Sequence, residues 1–435
     1  MMSGLKLKSS FLDFINRSEF IRNVFTIFSG NAFAQSIPFL TEPVIARLFV
    51  PQDFAIWTLY ISVTNIFSIL ATGRYEMAIM LPSRERKAIN VLALSMIISI
   101  FVSLFAFFIV WVFNAQICKI LHNDDVSLYL FFVPLSVLTT GWYQSLNYWA
   151  SRNKRFKNVS YSRVAQTSSN GALNMGFGFM GFHALGLMIA YLFGQIISVI
   201  PVAYSFIKRD MKKLRFVNKR EIREQAIVYR DFPRINSIHA LSDILQQSTV
   251  VFLISYFFGN LVVGLHSKTM RLLFFPSSLI GSSIAQVFFQ RASNEYTQTG
   301  DIRKLVLKTI RTLALIAIPC FSIITIWGDS IFAFLLGQNW RTAGEYAQIL
   351  SPWICMSFIV APVSQIPLIV NKQKQAFLFS VIGNGIILGS IVFAGLISHN
   401  IKTAFYFISG LEMIYYSFLI YWFLAISSKK IESQS

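Results

Sequence analysis

Charge is scarce in this 435-residue chain. Asp, Glu, Lys and Arg together make up 13% of it, about half the share of an ordinary soluble protein. So few charges cannot cover a water-facing surface, which excludes a soluble globular enzyme. Acidic residues are the rarer sign, 19 against 38 Lys and Arg, for a net charge of +19. Cysteine is limited to Cys118, Cys320 and Cys355, without CxxC spacing, so neither a disulfide framework nor a zinc site can be read from them. The five His show no HExxH or paired ligand spacing, and no metal site is expected. Walker A and GxSxG sequences are lacking. The GxGxxG match from Gly176 to Gly181 lies in an apolar stretch with no preceding strand and reads as helix packing.

What the chain does have is apolar length. Hydrophobic residues reach 55%, with 43 Phe, and runs suited to crossing a bilayer recur throughout. Twelve spans are expected, near residues 24–48, 54–80, 88–113, 126–149, 160–181, 184–207, 235–258, 260–290, 305–328, 342–370, 376–398 and 401–426. The spans at 260–290 and 342–370 are long enough to require a tilt or kink. Ala32-Phe33-Ala34 has the look of a signal cleavage site. The region before it carries Asp13 and Glu19, and its apolar run is too short, so no cleavage is expected.

The basic excess follows this map. With the N-terminus cytoplasmic, 28 Lys and Arg fall on cytoplasmic segments and only Lys119, Arg341 and Lys402 on outer ones. The positive-inside bias therefore puts both termini in the cytoplasm and accounts for the charge without nucleic acid. The most basic connection, 208–234, divides the chain into a six-helix lobe at 1–207 and another at 235–435. The sequence from Phe49 (FVPQDFAIWTLY) overlays that from Phe258 (FGNLVVGLHSKT) without gaps, Ala55 falling on Gly264. No loop is long enough for a catalytic or ATP-hydrolysing domain.

Polar residues inside the bilayer are costly, about 2.5–3.5 kcal/mol for a central charge on insertion scales. Here they recur at helical spacing. The first span carries Asn31, Gln35, Pro38 and Glu42; the second Thr58, Ser62, Asn65, Thr72 and Glu76. The fifth has Arg163, Gln166, Thr167, Asn170 and Asn174. The seventh has Asn236, His239, Asp243 and Gln247, and the eighth Lys268, Arg271, Ser278, Ser282 and Gln286. Each set shares a helix face, and such faces are expected to surround a hydrated central cavity lined chiefly by spans one, two, seven and eight. Lys308 and Arg311 can snorkel to the surface, as can Arg163, Arg74 and Arg47. Lys268 and Arg271 lie deeper and are the foremost candidates to hold an anion. Among the embedded acids Glu42, Asp243 and Glu412, Asp243 is the first choice for a coupling Na⁺ or H⁺, because His239 and Gln247 share its face. Pro38 and Pro276, near the polar stripes, are the candidate hinges.

The stretch Phe39–Pro82 resembles the N-terminal signature of polysaccharide-biosynthesis membrane proteins. The matching pieces are P-x-x-x-R-L-F-x-P-x-D-F from Pro43 to Phe54 and G-R-Y-E from Gly73 to Glu76, with a second match at Leu272–Ser293 after Arg271. Ala55 stands where that family usually has Gly. The family comprises O-antigen and capsule flippases of the Wzx type, within the superfamily of the MATE exporters and the lipid II flippase. The resemblance implies an all-α, MATE-like, twelve-helix integral membrane protein of the bacterial inner membrane. It also implies movement of an undecaprenyl-diphosphate-linked oligosaccharide from the cytoplasmic to the periplasmic leaflet. Arg271 and Lys268, with Arg74 and Arg47, would then meet the diphosphate, and Asn31, Gln35, Asn65 and Gln247 the sugar. A monomer needing no cofactor beyond its coupling ion is expected, with membrane lipids, a polysaccharide polymerase and a chain-length regulator as partners. The alternatives are a drug or cation antiporter of the same fold and a membrane-embedded polymerase or ligase.

Overall fold

A computed structural model describes residues 19–277 and 282–428, with side chains from Phe33 onward except those of His239, Ser282, Ser283 and Gln286. Each of the twelve expected spans contains helix. The first six are Glu19–Leu48, Pro51–Ser68 continued by Tyr75–Ala78, Glu85–Leu121, Val133–Arg152, Phe156–Phe179 and His183–Asp210. The next six are Ser237–Phe258, Asn260–Leu273 with Ser282–Thr299, Arg303–Leu336, Arg341–Val360 continued by Ile366–Ile369, Gln373–Ile397 and Ile401–Ile426. The eighth and tenth spans, too long for a straight crossing, are made of successive pieces, as is the second. Pro38 lies inside the unbroken first helix, whereas Pro276 lies just past the end of Asn260–Leu273. Among the described residues the sheet-like pairing is a single bridge from Asp301 to Ser428.

The chain forms two compact units. One holds the residues up to Phe49 and Leu59–Ser248; the other holds Val50–Thr58 and the chain from Thr249 on. These limits differ from the expected 1–207, 208–234 and 235–435. Residues 208–234 are part of the first unit, bound there by buried polar contacts. The Tyr75 hydroxyl donates to Ala226 O at 2.9 Å. Asn90 Nδ2 donates to Phe216 O at 3.0 Å and Glu221 Oε2 at 2.9 Å, while Asn218 N donates to Asn90 Oδ1 at 2.9 Å. Asp210, at the start of this stretch, accepts from Trp149 Nε1 at 3.0 Å and pairs with Arg155 and Lys213. A buried carboxylate with this many charged and polar donors is stable only while all of them stay in place. The segment is thus a docked strap rather than a tether.

Within each unit the same packing recurs. The third span lies on the fourth and the fifth on the sixth, as the ninth lies on the tenth and the eleventh on the twelfth. The third and ninth spans each contain one non-helical residue near their far end, Phe113 (φ −110°, ψ 18°) and Trp327 (φ −118°, ψ 17°). Leu48 crowds Gly178 of the fifth span, and Phe257, its counterpart in the overlay, crowds Gly395 of the eleventh. Pro51 and Asn260, which overlay as well, each open a helix. Pro51 suits a first helical position because its missing N–H has no intrahelical partner to lose.

The two overlaid segments meet each other inside the second unit. A Cβ at Gly264 would lie 1.9 Å from Pro51 O and 3.1 Å from Ala55 N. Only hydrogen fits there, and the small Ala55 opposite allows the backbones to approach. Gly264→Ala should therefore cost at least the 1–3 kcal/mol typical of overpacking, read as a lower melting temperature of purified protein in detergent. Gly410→Ala, at a site with nothing within 4 Å, should melt like the wild type.

Candidate polar and cationic sites in the two units

Seven single helices among the described residues are long and apolar enough to cross a membrane, the third, sixth, seventh and ninth to twelfth spans. The fourth joins them as a pair of helices bent by 48°. The four spans that do not qualify are the first, second, fifth and eighth. Those are four of the five that carry polar stripes in the sequence. Within a bilayer a polar face must turn toward protein or water, so the stripes mark where each unit keeps its polar groups.

In the first unit, the first and fifth spans approach at Gly171, where a Cβ would lie 3.3 Å from Thr41 Cγ2. Thr41 returns its hydroxyl to Ile37 O and Pro38 O at 3.0 and 3.2 Å, the back-bond by which a Thr inside a helix satisfies its own donor. Around this contact sit half-met polar groups. Gln35 Oε1 is buried with no hydrogen-bond partner among the described residues. Asn174 Nδ2 donates to Asn170 Oδ1 at 2.7 Å, yet Asn174 Oδ1 is itself unpartnered. Asn65 is half-buried on the second span, Glu42 is buried, and Arg47 is exposed at the end of the first. Asn31 lies in the first helix, but its side chain is outside the described residues. On the seventh span Asp243 and Gln247 are both exposed; the His239 side chain, expected to share their face, is likewise outside the described residues.

The G-R-Y-E motif is a backbone turn. Gly73 and Arg74 take positive φ, 57° and 61°, a conformation easy for glycine and costly for arginine. The turn brings Arg74 Nη1 to 3.7 Å from Glu76 Oε1, and the Thr72 hydroxyl donates to the same buried carboxylate. Arg74 therefore already has an acidic neighbour in its own motif and is not an unopposed cation awaiting an anion.

The second unit holds Lys268 and Arg271, and it separates them. Lys268 is 1% exposed. Its ammonium stands 3.4 Å above the centroid of Phe54 and 4.6 Å from that of Trp340. Those two rings meet edge to face at 5.3 Å. Desolvated cation–π contacts of this kind are worth about 2 kcal/mol or more, a partial return on burying the charge. Lys268 is accordingly not in hydrated space alongside Arg271, as its one-turn spacing suggested. Arg271 is exposed, its guanidinium 5.8 Å from the Trp57 ring. Phe54, Trp57 and Trp340 were missed as site residues; only the D-F of the Pro43–Phe54 motif hinted at Phe54. The next residue, Thr269, ties this helix to the tenth span by donating to Ala343 O at 2.8 Å.

Glu412, in the twelfth span, is the acid whose setting is most demanding. It is 2% exposed, and its Oε1 has no hydrogen-bond partner among the described residues. No cation pairs with it among those residues, and the side chain that approaches it as a donor is the indole of Trp353. Among the described residues no cluster of His, Cys, Asp and Glu is built to hold a metal ion.

Residues 44–345 match the model of the polysaccharide biosynthesis protein family. No curated protein matches the sequence. Among solved structures the chain is similar to an inward-facing multidrug resistance MATE family transporter of the MOP superfamily. The two share 15% identity over 90% of this chain and 94% of that one, with a TM-score of 0.72. It is also similar to a MATE protein in complex with MaD5, at 13% identity over 94% and 97% with a TM-score of 0.59. An outward-facing MATE family transporter matches at 13% identity over 93% and 95%, with a TM-score of 0.56. At such identities the likeness is one of fold, and the fold is the all-helical one of MATE proteins. By the match over most of its length, the chain belongs to the polysaccharide biosynthesis protein family and is a multi-pass membrane protein.

Proposed function

We propose that the protein is a flippase for an undecaprenyl-diphosphate-linked oligosaccharide, the repeat unit of an O-antigen or capsule. It moves this lipid from the cytoplasmic to the periplasmic leaflet of the bacterial inner membrane by alternating access. The observation that carries the reading is the coincidence in one chain of a polysaccharide biosynthesis family and a transporter fold. A saccharide built on a lipid anchor cannot cross hydrocarbon unaided, because each hydroxyl would be desolvated without a partner. A helical transporter with polar faces supplies those partners.

In this reading the exposed Arg271 is the first contact for the diphosphate, with Arg47 as a further contact and Arg74 joining only when it leaves Glu76. Lys268 joins only when Phe54 and Trp340 move off it. Asn31, Gln35, Asn65 and Gln247 serve the sugar. Glu412 takes the coupling ion in preference to Asp243 and Glu42, because a buried carboxyl without a cation is relieved by a proton or Na⁺. A polymerase and a chain-length regulator consume the product. The chain works as a monomer with both termini in the cytoplasm and takes part in no nucleic-acid binding.

In a strain lacking the gene, wild-type protein should restore surface polysaccharide, and Arg271→Ala should restore about tenfold less or lower still, since a charged hydrogen bond is worth about 1.5–3 kcal/mol. Arg271→Lys should fall between them. Normal polymer with altered drug sensitivity would favour the antiporter instead. Glu412→Gln should leave the protein in the membrane but make transport indifferent to collapse of the ion gradient. For orientation, a cysteine introduced at the exposed Arg220 should react with an impermeant maleimide only after the cells are opened, and one at the exposed Asp124 in intact spheroplasts.

A further inference from the structure

A groove of about 410 Å³ runs along the second unit between the helices Ser282–Thr299 and Arg303–Leu336. Its volume is within the range of small-ligand clefts. The two helices are antiparallel across the turn at 300–302, and the groove changes character along them. Toward the middle of the helices it is lined by Ile284, Val287, Leu313 and Ile316; toward the turn it is lined by Arg291 and Lys308, with the buried Leu305 beside them. Val287 and Ile316 are largely exposed, as are Leu315 and Ile318 beside the groove, so this side of the unit is built to face lipid. Arg291 and Lys308 are exposed and form no ion pair among the described residues. Lys304 and Arg311, one turn either side of Lys308 on the same face, are exposed cations too. The carboxylates in the neighbourhood are Glu295, one turn past Arg291, and Asp301 in the turn itself, whose Oδ1 accepts from Arg303 N at 2.9 Å.

The shape and charge suit an amphiphile with an anionic head between Arg291 and Lys308, on the side of the groove nearer the 300–302 turn, and a chain directed into the membrane. That turn lies on the side where the positive-charge bias places the cytoplasm. The step from cation to hydrocarbon is abrupt, since Arg291 and Val287 are one helical turn apart, about 6 Å. The hydroxyls of Thr309 and Thr312, which line the groove between its two ends, are already donated to Leu305 O and Lys308 O at 2.9 Å. A glycerophospholipid would put two ester groups at that level. A polyprenyl phosphate, whose phosphate is joined directly to its hydrocarbon, matches the abrupt change.

We propose that this groove is a loading site for the polyprenyl-phosphate end of the lipid carrier, with the phosphate between Arg291 and Lys308 and the first isoprene units along Val287, Ile284, Leu313 and Ile316. The inference rests on the flippase reading and adds to it a lipid-facing station distinct from Arg271. It explains why two unpaired cations are kept beside an apolar furrow.

The test uses the full chain in nanodiscs, with undecaprenyl phosphate as the probe and phosphatidylglycerol as competitor. The double variant Arg291→Gln, Lys308→Gln should weaken probe binding at least tenfold. Val287→Trp, which fills the furrow and leaves the charges in place, should weaken it comparably. Both variants should melt like the wild type, because all three positions are exposed. Unchanged affinity in both variants, or displacement of the probe by an equal amount of phosphatidylglycerol, would overturn the groove assignment alone. A wild-type protein with no affinity for undecaprenyl phosphate would overturn the flippase reading together with it.

Discussion

The second unit depends on one close approach, that of the Gly264 backbone to Pro51 O. It brings the opening turn of the helix Pro51–Ser68 against Asn260–Leu273, and every feature around Lys268 follows from it. Phe54 can cover the ammonium only because its helix begins this close. Trp340 completes the cover by meeting Phe54 edge to face. Because Val50–Thr58 supplies this contact, it belongs with the chain from Thr249 on rather than with its neighbours in sequence.

A second constraint is the price of polarity in hydrocarbon. Among the described residues the first, second, fifth and eighth spans do not pass as simple membrane helices, and they bear the Asn, Gln and Arg residues singled out as candidates except Gln247, which is on the seventh. In the first unit this polarity is partly absorbed by local bonds, as with Asn170 and Asn174, and partly left over, as at Gln35 Oε1. In the second unit it is absorbed by aromatic faces at Lys268 and left over at Glu412. The leftover groups are the ones with chemistry still available to a ligand or an ion.

The spans were legible in the sequence because hydrocarbon imposes a length and a composition on each helix independently of its neighbours. The polar stripes were legible for the same reason, through the 3.6-residue period. The overlay of Phe49 on Phe258 was legible too, and the helix starts at Pro51 and Asn260 give it structural content. What could not be read was whatever depends on distant partners. Lys268 and Arg271 share a helix and a one-turn spacing, but Phe54 and Trp340 come from remote parts of the chain and take Lys268 away. The basic run 208–234 reads as a tether by composition; its docking rests on Tyr75, Asn90 and Trp149, which carry no local mark of that role. Asp243 looked the best-placed acid from its neighbours on the helix, whereas burial, a tertiary property, leaves Asp243 exposed and encloses Glu42, Glu76 and Glu412, of which Glu412 keeps a buried oxygen without a hydrogen bond.

The exchange of Val50–Thr58 bears on how the polypeptide can be divided. A cut within 208–234 would sever the chain in the middle of the first unit, and the C-terminal fragment would lack the segment carrying Phe54 and Pro51. Lys268 would then be synthesised with Trp340 but without Phe54, and Gly264 without the carbonyl it is shaped to admit. Split versions of this protein should consequently assemble only when both fragments are made together, each serving as part of the other's folding template.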